Sequence, residues 1–311
     1  MTPASPAGRA ARPARPHIIV FLAPAILVYT AVMIVPLFET LRLSVFRSVA
    51  NADTFVGWAN FGALFFDDRW SHGFWNALRN NVIFFCIQMV QNPIGIGLAA
   101  LLALPRLRGS AFYRTAIFMP TLLSFVIVGF GWKLILSPLW GVAPSLLGAV
   151  GLKFLFAPYL GRENSALITL GLISVWQYVG VPMMLCYAAL ISIPDELIDA
   201  AEIDGIVGIE QFFKIKLPLI WPTVGMISIL TFVGNFNAFD LIYVTQGALA
   251  GPNYSTDILG TLLYRTFFGY QLQLGDPNMG ATVATMMFLI ILAGVCIYLF
   301  AVQRRLSRYQ F

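Results

Sequence analysis

Six long apolar runs constrain this chain more than any other feature of its sequence. A helix needs about 20 predominantly apolar residues to cross a bilayer core about 30 Å thick. Runs of this kind lie at residues 18–38, 82–104, 116–136, 166–191, 222–243 and 280–300. Several contain Pro or Gly, which membrane helices tolerate where neighbouring helices satisfy the freed backbone groups. The pattern predicts an all-α, polytopic membrane protein with six transmembrane helices.

The composition agrees with a chain that lies largely in lipid. Hydrophobic residues make up 59% of the sequence and charged residues 11%, whereas soluble domains contain about 45–50% and about 25%. The mean hydropathy is +0.81. The 19 Lys and Arg residues are spread thinly and form no basic face. We therefore expect the lipid bilayer as a partner and no nucleic acid.

The three cysteines point to no covalent framework. Cys86, Cys186 and Cys296 lie far apart, each within an apolar run. This spacing supplies neither a disulfide pattern nor a metal ligand set. We expect them to behave as small buried hydrophobic residues, and we expect no metal site in this chain.

The distribution of basic residues predicts the orientation. An even number of spans places both termini on one side, and short cytoplasmic segments are enriched in Lys and Arg. With cytoplasmic termini, 11 of the 19 basic residues lie inside: Arg9, Arg12, Arg15, Arg106, Arg108, Arg114, Lys214, Lys216, Arg304, Arg305 and Arg308. We therefore expect a multi-pass protein of a cytoplasmic membrane with both termini in the cytoplasm.

The chain shows no internal repeat and no low-complexity linker, so residues 1–311 are predicted to form one transmembrane domain. It would have a cytoplasmic tail at 1–17 and a polar cytoplasmic loop at 192–221. Outside the membrane, the aromatic-rich stretch 47–80 is expected to form an amphipathic helix in the interface, with a docking surface for an external partner as the alternative. A second surface helix is expected at 257–268.

The polar loop holds all six acidic residues predicted to be cytoplasmic: Asp195, Glu196, Asp199, Glu202, Asp204 and Glu210. Its sequence predicts two short helices with a break at Asp204-Gly205. Acidic residues in the first turn favour the positive end of the helix dipole, and Ala200-Ala201 permits another surface to approach closely. A transmitting contact and a solvated loop are both consistent with these features.

A longer motif in this loop resembles the EAA loop of permease subunits of bacterial binding-protein-dependent ABC importers. The motif comprises Asp199-Ala-Ala-Glu-Ile-Asp204-Gly205, Phe212, Ile215, Leu217-Pro218 and Pro222. Its spacing is intact. Asp199 stands where the family carries Glu, which shortens a charged arm, and Ile206 replaces the usual Ala.

The resemblance extends over nearly the whole chain. Maltose-type carbohydrate permeases carry similar residues at Asn60-Phe61, Phe74-Trp75-Asn76-Ala77-Leu78-Arg79-Asn80, Arg114, Met119-Pro120, Trp176 and Thr245-Gln246-Gly247. The segment after the last span is more similar to the first permease of these heterodimeric systems than to the second. The resemblance implies a type I ABC importer permease fold in a bacterial inner membrane.

This resemblance also implies partners and a coupling surface. The residues expected to contact or support a separate ATPase are Asp199, Ala200, Ala201, Asp204, Gly205, Phe212, Leu217 and Pro218. The sequence has no Gly-rich phosphate loop of its own, so ATP and Mg would be bound by the ATPase and no cofactor by this chain. Expected partners are a second permease subunit, two copies of the ABC ATPase, a periplasmic or extracytoplasmic solute-binding protein and a sugar-like solute. We expect no catalytic residues.

Polar residues inside a span are costly and therefore mark a candidate translocation path. The fifth span holds Thr231, Asn235, Asn237 and Asp240, and the first two share one helical face. The resemblance adds Gly234 and, in the fourth span, Trp176, Gln177, Val179, Gly180 and Met183. Hydrogen bonding between helices is the alternative interpretation. We favour that alternative for Asn237 and for Gln88, Gln91 and Asn92 in the second span.

Three other functions are alternatives for a polytopic membrane protein. A secondary transporter needs pseudo-repeats or mid-membrane carboxylates, which the sequence lacks. An intramembrane hydrolase needs a catalytic constellation in the bundle, but His17 and His72 lie outside the predicted spans. An ABC importer permease for a solute other than a carbohydrate remains open.

Overall fold

The computed structural model describes residues 16–49, 52–104, 107–236, 238–271 and 273–303. Most of the predicted tail 1–17 lies outside the described residues, as do the candidate path residue Asn237 and the basic residues Arg106, Arg304, Arg305 and Arg308.

Helices dominate the structure, as predicted. In chain order the elements are α1 (Val20–Ser44), β1 (Phe46–Val49), β2 (Ala52–Phe55), α2 (Ala59–Phe66), α3 (Asp68–Leu102), α4 (Ser110–Leu122), α5 (Phe125–Ile135), α6 (Val142–Ala149), α7 (Glu163–Ile191), α8 (Asp195–Ile203), α9 (Gly208–Leu219), α10 (Trp221–Phe236), α11 (Phe239–Gln246), α12 (Leu259–Phe268) and α13 (Pro277–Phe300). The antiparallel β1–β2 hairpin pairs Phe46 with Phe55.

Length and hydropathy identify four helices that could cross a membrane, or six spans if each of two bent helix pairs is counted as one. Four are continuous helices, α1, α3, α7 and α13. The other two are bent pairs, α4 with α5 at 96° and α9 with α10 at 68°. The first bend lies at extended Leu123, after which the Ser124 hydroxyl accepts the Ile127 N–H and starts α5. Pro222 in the first turn of α10 is suited to a helix start.

The second span is much longer than the apolar run 82–104 predicts. α3 begins at Asp68, where the Asp67 side chain caps it by accepting the Arg69 N–H. Its 35 residues correspond to about 52 Å at about 1.5 Å per residue, well beyond the bilayer core. The expectation that 47–80 forms one amphipathic helix is therefore wrong. This segment forms the β-hairpin, α2 and the first turns of α3, with Phe74 in the core.

The chain alternates between two ends of the bundle. We call the end that carries α8 and α9 the hairpin end, and the end that carries α2 and α12 the loop end. At the loop end, α2, α3, α12 and α13 share a core around Leu64, Phe74 and Leu259. Helix α12 was expected on the surface, but six of its residues are buried: Leu259, Gly260, Thr261, Leu262, Arg265 and Thr266. Its amphipathic sequence packs against α13 and α3.

The cysteines differ in their surroundings. Cys186 lies fully buried in a cluster between α3, α7 and α10, whereas Cys86 is exposed on the surface of the bundle and Cys296 is partly buried. The expectation of three buried cysteines is therefore met only at Cys186. In a membrane helix an apolar residue faces lipid as readily as protein, so hydropathy does not separate the two faces.

The crossing of α3 and α7 depends on a glycine. A Cβ at Gly95 would lie 2.8 Å from the Met183 backbone nitrogen and from the Pro182 ring, whereas a Cβ at Gly97 would have no heavy atom within 4 Å. Only a residue without a side chain permits this approach.

We predict that Gly95→Ala destabilises the purified protein by about 1–3 kcal/mol because the added methyl overpacks the crossing. Gly97→Ala on the same helix is the matched control and should be close to neutral. Thermal unfolding in detergent measures both, and equal midpoints for the two variants would contradict the crossing geometry.

Candidate functional site: a helical hairpin and an intramembrane cavity

The turn between α8 and α9 is built by the sequence Asp204-Gly205. Gly205 adopts a left-handed φ of +80°, which glycine reaches without a Cβ penalty. Its N–H donates to the Glu202 carbonyl at 3.0 Å, and the Ile206 N–H donates to the Ala201 carbonyl at 2.8 Å. These two bonds define a Schellman cap. The predicted break is thus a capped helix end.

The second helix of the hairpin is held to the bundle by apolar packing. Phe212 and Leu217 pack against a buried cluster that includes Leu190, Ile220 and Ile227. Gln211 is buried as well, and its side-chain amide donates to a carbonyl of α8, that of Ile198, at 3.5 Å. Pro218 is partly buried and lies in the last residues of α9. The hairpin is therefore a supported structure.

The exposed surface of the hairpin combines carboxylates with aliphatic side chains. Asp199, Ala200, Asp204 and Gly205 are all exposed. Beside them lie three exposed aliphatic residues, Ile203 (86%), Val207 (57%) and Ile209 (79%). Ala201 differs from the expectation because it is buried, at 5% exposure, within the hairpin. A partner can thus contact Ala200 but not Ala201 in this conformation. Exposed apolar side chains rimmed by charges are typical of interaction surfaces.

A cavity of about 310 Å³ lies between α3, α5, α7, α10 and α11. Its lining combines amides, hydroxyls, aromatic rings and one carboxylate: Gln88, Gln91, Phe125, Ser174, Tyr178, Val181, Pro182, Leu185, Ile227, Leu230, Thr231, Gly234, Ala238, Asp240 and Leu241. The rings of Phe125 and Tyr178 lie 5.9 Å apart. Neither lysine nor arginine belongs to this lining.

Hydrogen bonds organise the polar wall of the cavity. The Gln88 amide donates to the Ser174 hydroxyl at 2.8 Å, which joins α3 to α7. The Gln91 amide donates to the Thr231 hydroxyl at 3.3 Å, which joins α3 to α10. Gln91 Oε1 is buried and has no partner among the described residues. An unsatisfied acceptor beside a cavity is a position where a ligand hydroxyl can donate.

Nine of the ten predicted path residues lie in the described part of the chain, and three of these line the cavity. Thr231, Gly234 and Asp240 all come from the fifth span or the helix that follows it. Asn235 lies one residue from Gly234 but turns away from the cavity, and its side-chain amide donates to the Asn81 carbonyl at 3.2 Å. Asn235 is therefore not among the residues that line this cavity with Thr231, and its place in a translocation path stays a prediction.

The five candidates from the fourth span serve packing. Trp176 meets Trp132 edge to face at 5.4 Å. Gln177 is buried and donates to the Leu123 carbonyl. The remaining three, Val179, Gly180 and Met183, lie at or beside an irregular turn within α7. A Cβ at Gly180 would lie 2.8 Å from the Phe118 Cα, and Met183 is fully buried in the cluster shared with α3.

The sequence interpretation also missed cavity residues. Gln88, Gln91, Ser174 and Tyr178 line the cavity, whereas the two glutamines were predicted to serve helix contacts alone. They do make such contacts. Their spacing of three residues places both on one face of α3, and this pairing was the available signal. Which face of α3 meets a cavity depends on tertiary packing.

The fold defines a class: a membrane protein with six assigned spans, a polar cavity between them and a supported hairpin at one end. The chain belongs to the family of binding-protein-dependent transport system inner membrane components, whose model matches residues 91–308. It is a permease subunit of an ABC importer rather than a secondary transporter.

Relatives extend over most of the chain. The probable ABC transporter permease protein YurN of Bacillus subtilis (strain 168) is 34% identical over 277 residues, which is 88% of this chain and 91% of YurN. The multiple sugar-binding transport system permease protein MsmF of Streptococcus mutans is 32% identical over 238 residues, 76% of this chain and 77% of MsmF.

A solved structure shares the fold. It is a bacterial ABC transporter involved in the import of the acidic polysaccharide alginate, and one of its chains matches with a TM-score of 0.77 at 21% identity. The match covers 94% of this chain and 95% of that one. The predicted type I ABC importer permease fold is confirmed.

The hairpin cap gives a direct test. We predict that Gly205→Ala weakens the cap by about 1 kcal/mol, because a Cβ at left-handed φ is strained, and that Gly205→Asn costs less because asparagine tolerates this conformation. Hydrogen exchange of the Ile206 amide should be about fivefold faster in Gly205→Ala than in the wild type. Equal protection in Gly205→Ala and the wild type would contradict the Schellman cap.

Proposed function

We propose that this permease forms half of the translocation path for a sugar or sugar-like solute and that the hairpin of α8 and α9 couples the path to a separate ATPase. The observation that carries the proposal is the cavity, whose lining offers amides, hydroxyls and two aromatic rings with a single carboxylate. Hydroxyl-rich solutes are bound by such groups, with polar side chains fixing orientation and rings supplying apolar contact.

The size and openness of the cavity favour a path shared with a second subunit. A volume of about 310 Å³ is at the low end of small-molecule sites, about 300–1,000 Å³. Gly234 and Asp240 line the cavity and are exposed in the single chain. A second permease subunit would close this side, as a heterodimer requires. MsmF is named for multiple sugars, which supports the carbohydrate class.

The hairpin supports the coupling role. Its exposed aliphatic residues Ile203 and Ile209 stand beside the carboxylates of Asp199 and Asp204. An ATPase cleft with an apolar floor and a basic rim would complement both features. Two ATPase copies would serve the two permeases. They would bind ATP and Mg, and this chain would be a non-catalytic subunit without a cofactor.

The orientation follows from the coupling role. An intracellular ATPase requires the hairpin end in the cytoplasm, and six spans then place both termini there. The loop end would face an extracytoplasmic solute-binding protein, in accord with the family description. Under this proposal residues 1–311 form one transmembrane domain of the inner membrane.

One observation favours a second class of solute. Asp240 is the acidic side chain in the cavity lining, and a carboxylate suits a cationic solute as well as a sugar hydroxyl. An importer for a non-carbohydrate solute is therefore the alternative. Competition of uptake by sugars and by cationic solutes distinguishes the two.

For coupling, we predict that Gly205→Trp abolishes transport and ATPase stimulation while the protein still inserts, because the bulky ring blocks docking. Gly151→Trp is the matched control. Gly151 is also left-handed, at φ +73°, with no heavy atom within 4 Å of an added Cβ, but it lies in the α6–α7 connection. Uptake and ATPase rates in proteoliposomes of the full complex measure both variants. Wild-type transport by Gly205→Trp would refute the coupling role.

For the path, we predict that Thr231→Ala lowers solute uptake about 2–10-fold through the loss of one hydrogen bond. Gly234→Trp should abolish uptake by filling the cavity, since its Cβ position is open. Ser228→Ala, on the same helix but outside the lining, is the control. Its hydroxyl donates only to the Val224 carbonyl. Unchanged uptake in both lining variants would contradict the assigned path.

A further inference from the structure

A groove at the loop end is separate from the intramembrane cavity. It has a volume of about 400 Å³ and lies between the first turns of α3 and the segments that enter and leave α12. The side chains that matter for its chemistry are Arg69, Trp70, Asn76, Asn253, Tyr254 and Gln273. The protruding start of α3 contributes the first three, so the groove lies beyond the predicted membrane run 82–104.

The floor of the groove is a buried ion pair. Arg265 and Asp257 form a bidentate contact, with the shorter N–O distance 2.7 Å. Thr261 also donates to Asp257 at 2.7 Å, and Arg265 donates to the Ala248 carbonyl. Burial raises the pKa of Asp257, while Arg265 and Thr261 act in the opposite direction. Both charges are fully engaged, so the floor is rigid and electrically neutral.

One wall is a strained loop that is pinned in place. Asn253 and Tyr254 adopt left-handed backbone conformations, with φ of +47° and +55°. Such residues persist where the surroundings over-determine them, and they are concentrated at binding sites. Here the Asn76 amide donates to the Tyr254 carbonyl at 2.9 Å, and the Asn80 amide donates to the Ser255 carbonyl at 3.2 Å. These hydrogen bonds hold the strained backbone of the loop and so position Asn253 and Tyr254 at the groove.

The groups at the mouth of the groove are available to a ligand. The Asn253 and Gln273 side chains are exposed, and their amides make no hydrogen bond among the described residues. The Arg265 guanidinium lies 4.9 Å from the centre of the Tyr254 ring, and Tyr254 is 43% exposed. Arg69 lies 4.8 Å from the Trp70 ring centre. The groove therefore offers amides, an accessible aromatic ring and the Arg69 guanidinium, which has no ion-pair partner among the described residues.

We propose that this groove is a saccharide-binding site on the extracytoplasmic face of the permease, distinct from the translocation cavity. The site takes a pyranose unit, with its C–H face on Tyr254 and its hydroxyls on Asn253, Gln273 and Arg69, which are the groups that such a ligand needs. The proposal rests on the proposed sugar transport and on the orientation that follows from it.

The test uses the intact complex of both permeases and the ATPases in lipid nanodiscs, without the solute-binding protein. The Gly234→Trp change closes the intramembrane cavity in every sample. Saturation-transfer NMR with maltotriose and with a mannuronate trisaccharide then reports binding outside the cavity. We expect saturation transfer to at least one probe. Arg69→Ala combined with Asn253→Ala should weaken it about tenfold, the loss of about 1.4 kcal/mol.

Arg79 is the matched control for Arg69, because it is an exposed arginine of α3 outside the groove. Arg79→Ala combined with Asn253→Ala should weaken saccharide binding no more than Asn253→Ala alone. The melting temperature of each complex verifies that the exposed substitutions leave the fold intact. Saturation transfer to neither probe, or transfer that the groove variants do not change, overturns the proposal.

A loop of the solute-binding protein is the competing occupant. In that case the Arg69 and Asn253 changes weaken capture of that protein and leave saccharide binding unchanged, which also overturns the proposal. Sugar uptake by the wild-type complex with its binding protein is measured separately. Uptake without a groove signal refutes the groove alone, whereas absence of sugar uptake refutes the proposed function.

Discussion

The bilayer supplies no hydrogen-bond partners, and this constraint shapes the rest of the structure. Backbone groups in the spans are satisfied within helices, and irregular backbone is tolerated only where it is buried in protein or lines a cavity. The interruption between α10 and α11 illustrates this. Ala238 and Asp240 border it and both line the cavity. The cavity thus lies beside the junction of α10 and α11, and the continuous helices α1 and α13 present mostly apolar surfaces.

The sequence predicted the number of spans and the hairpin well, because both depend on local signals. Hydropathy identifies a span without knowledge of its neighbours. Asp204-Gly205 marks the end of α8 because glycine readily adopts the left-handed conformation of a helix cap. The start of α3 was missed because its first turns are polar and pack outside the membrane run. The cavity was only partly predicted, since the face of α3 that carries Gln88 and Gln91 is set by packing. Met183 and Gly180 were assigned to the path by resemblance. In the structure Met183 packs in a buried cluster, and Gly180 permits a close helix contact.

The proposed coupling has a physical route in the packing. Phe212 and Leu217 of the hairpin pack in the same buried cluster as Ile227, and Ile227 also lines the cavity one turn from Thr231. A displacement of α9 therefore reaches the cavity wall through contiguous close-packed side chains, which transmit strain because they compress little. The 68° bend between α9 and α10 lies on this route. It allows a push at the hairpin to act across the axis of α10.

A second route joins the loop end to the same helix through one asparagine of α3. Asn81 accepts the Leu259 N–H of α12 on its side-chain oxygen at 2.8 Å and the Asn235 amide of α10 on its backbone oxygen at 3.2 Å. Both bonds are buried, and breaking a buried hydrogen bond costs about 1–3 kcal/mol. Because α3 is bonded to both helices, a large movement of α12 relative to α10 must break one of these bonds. Solute arrival at the loop end and nucleotide-driven motion at the hairpin end would thus act on one helix, α10, which carries Thr231 and Gly234.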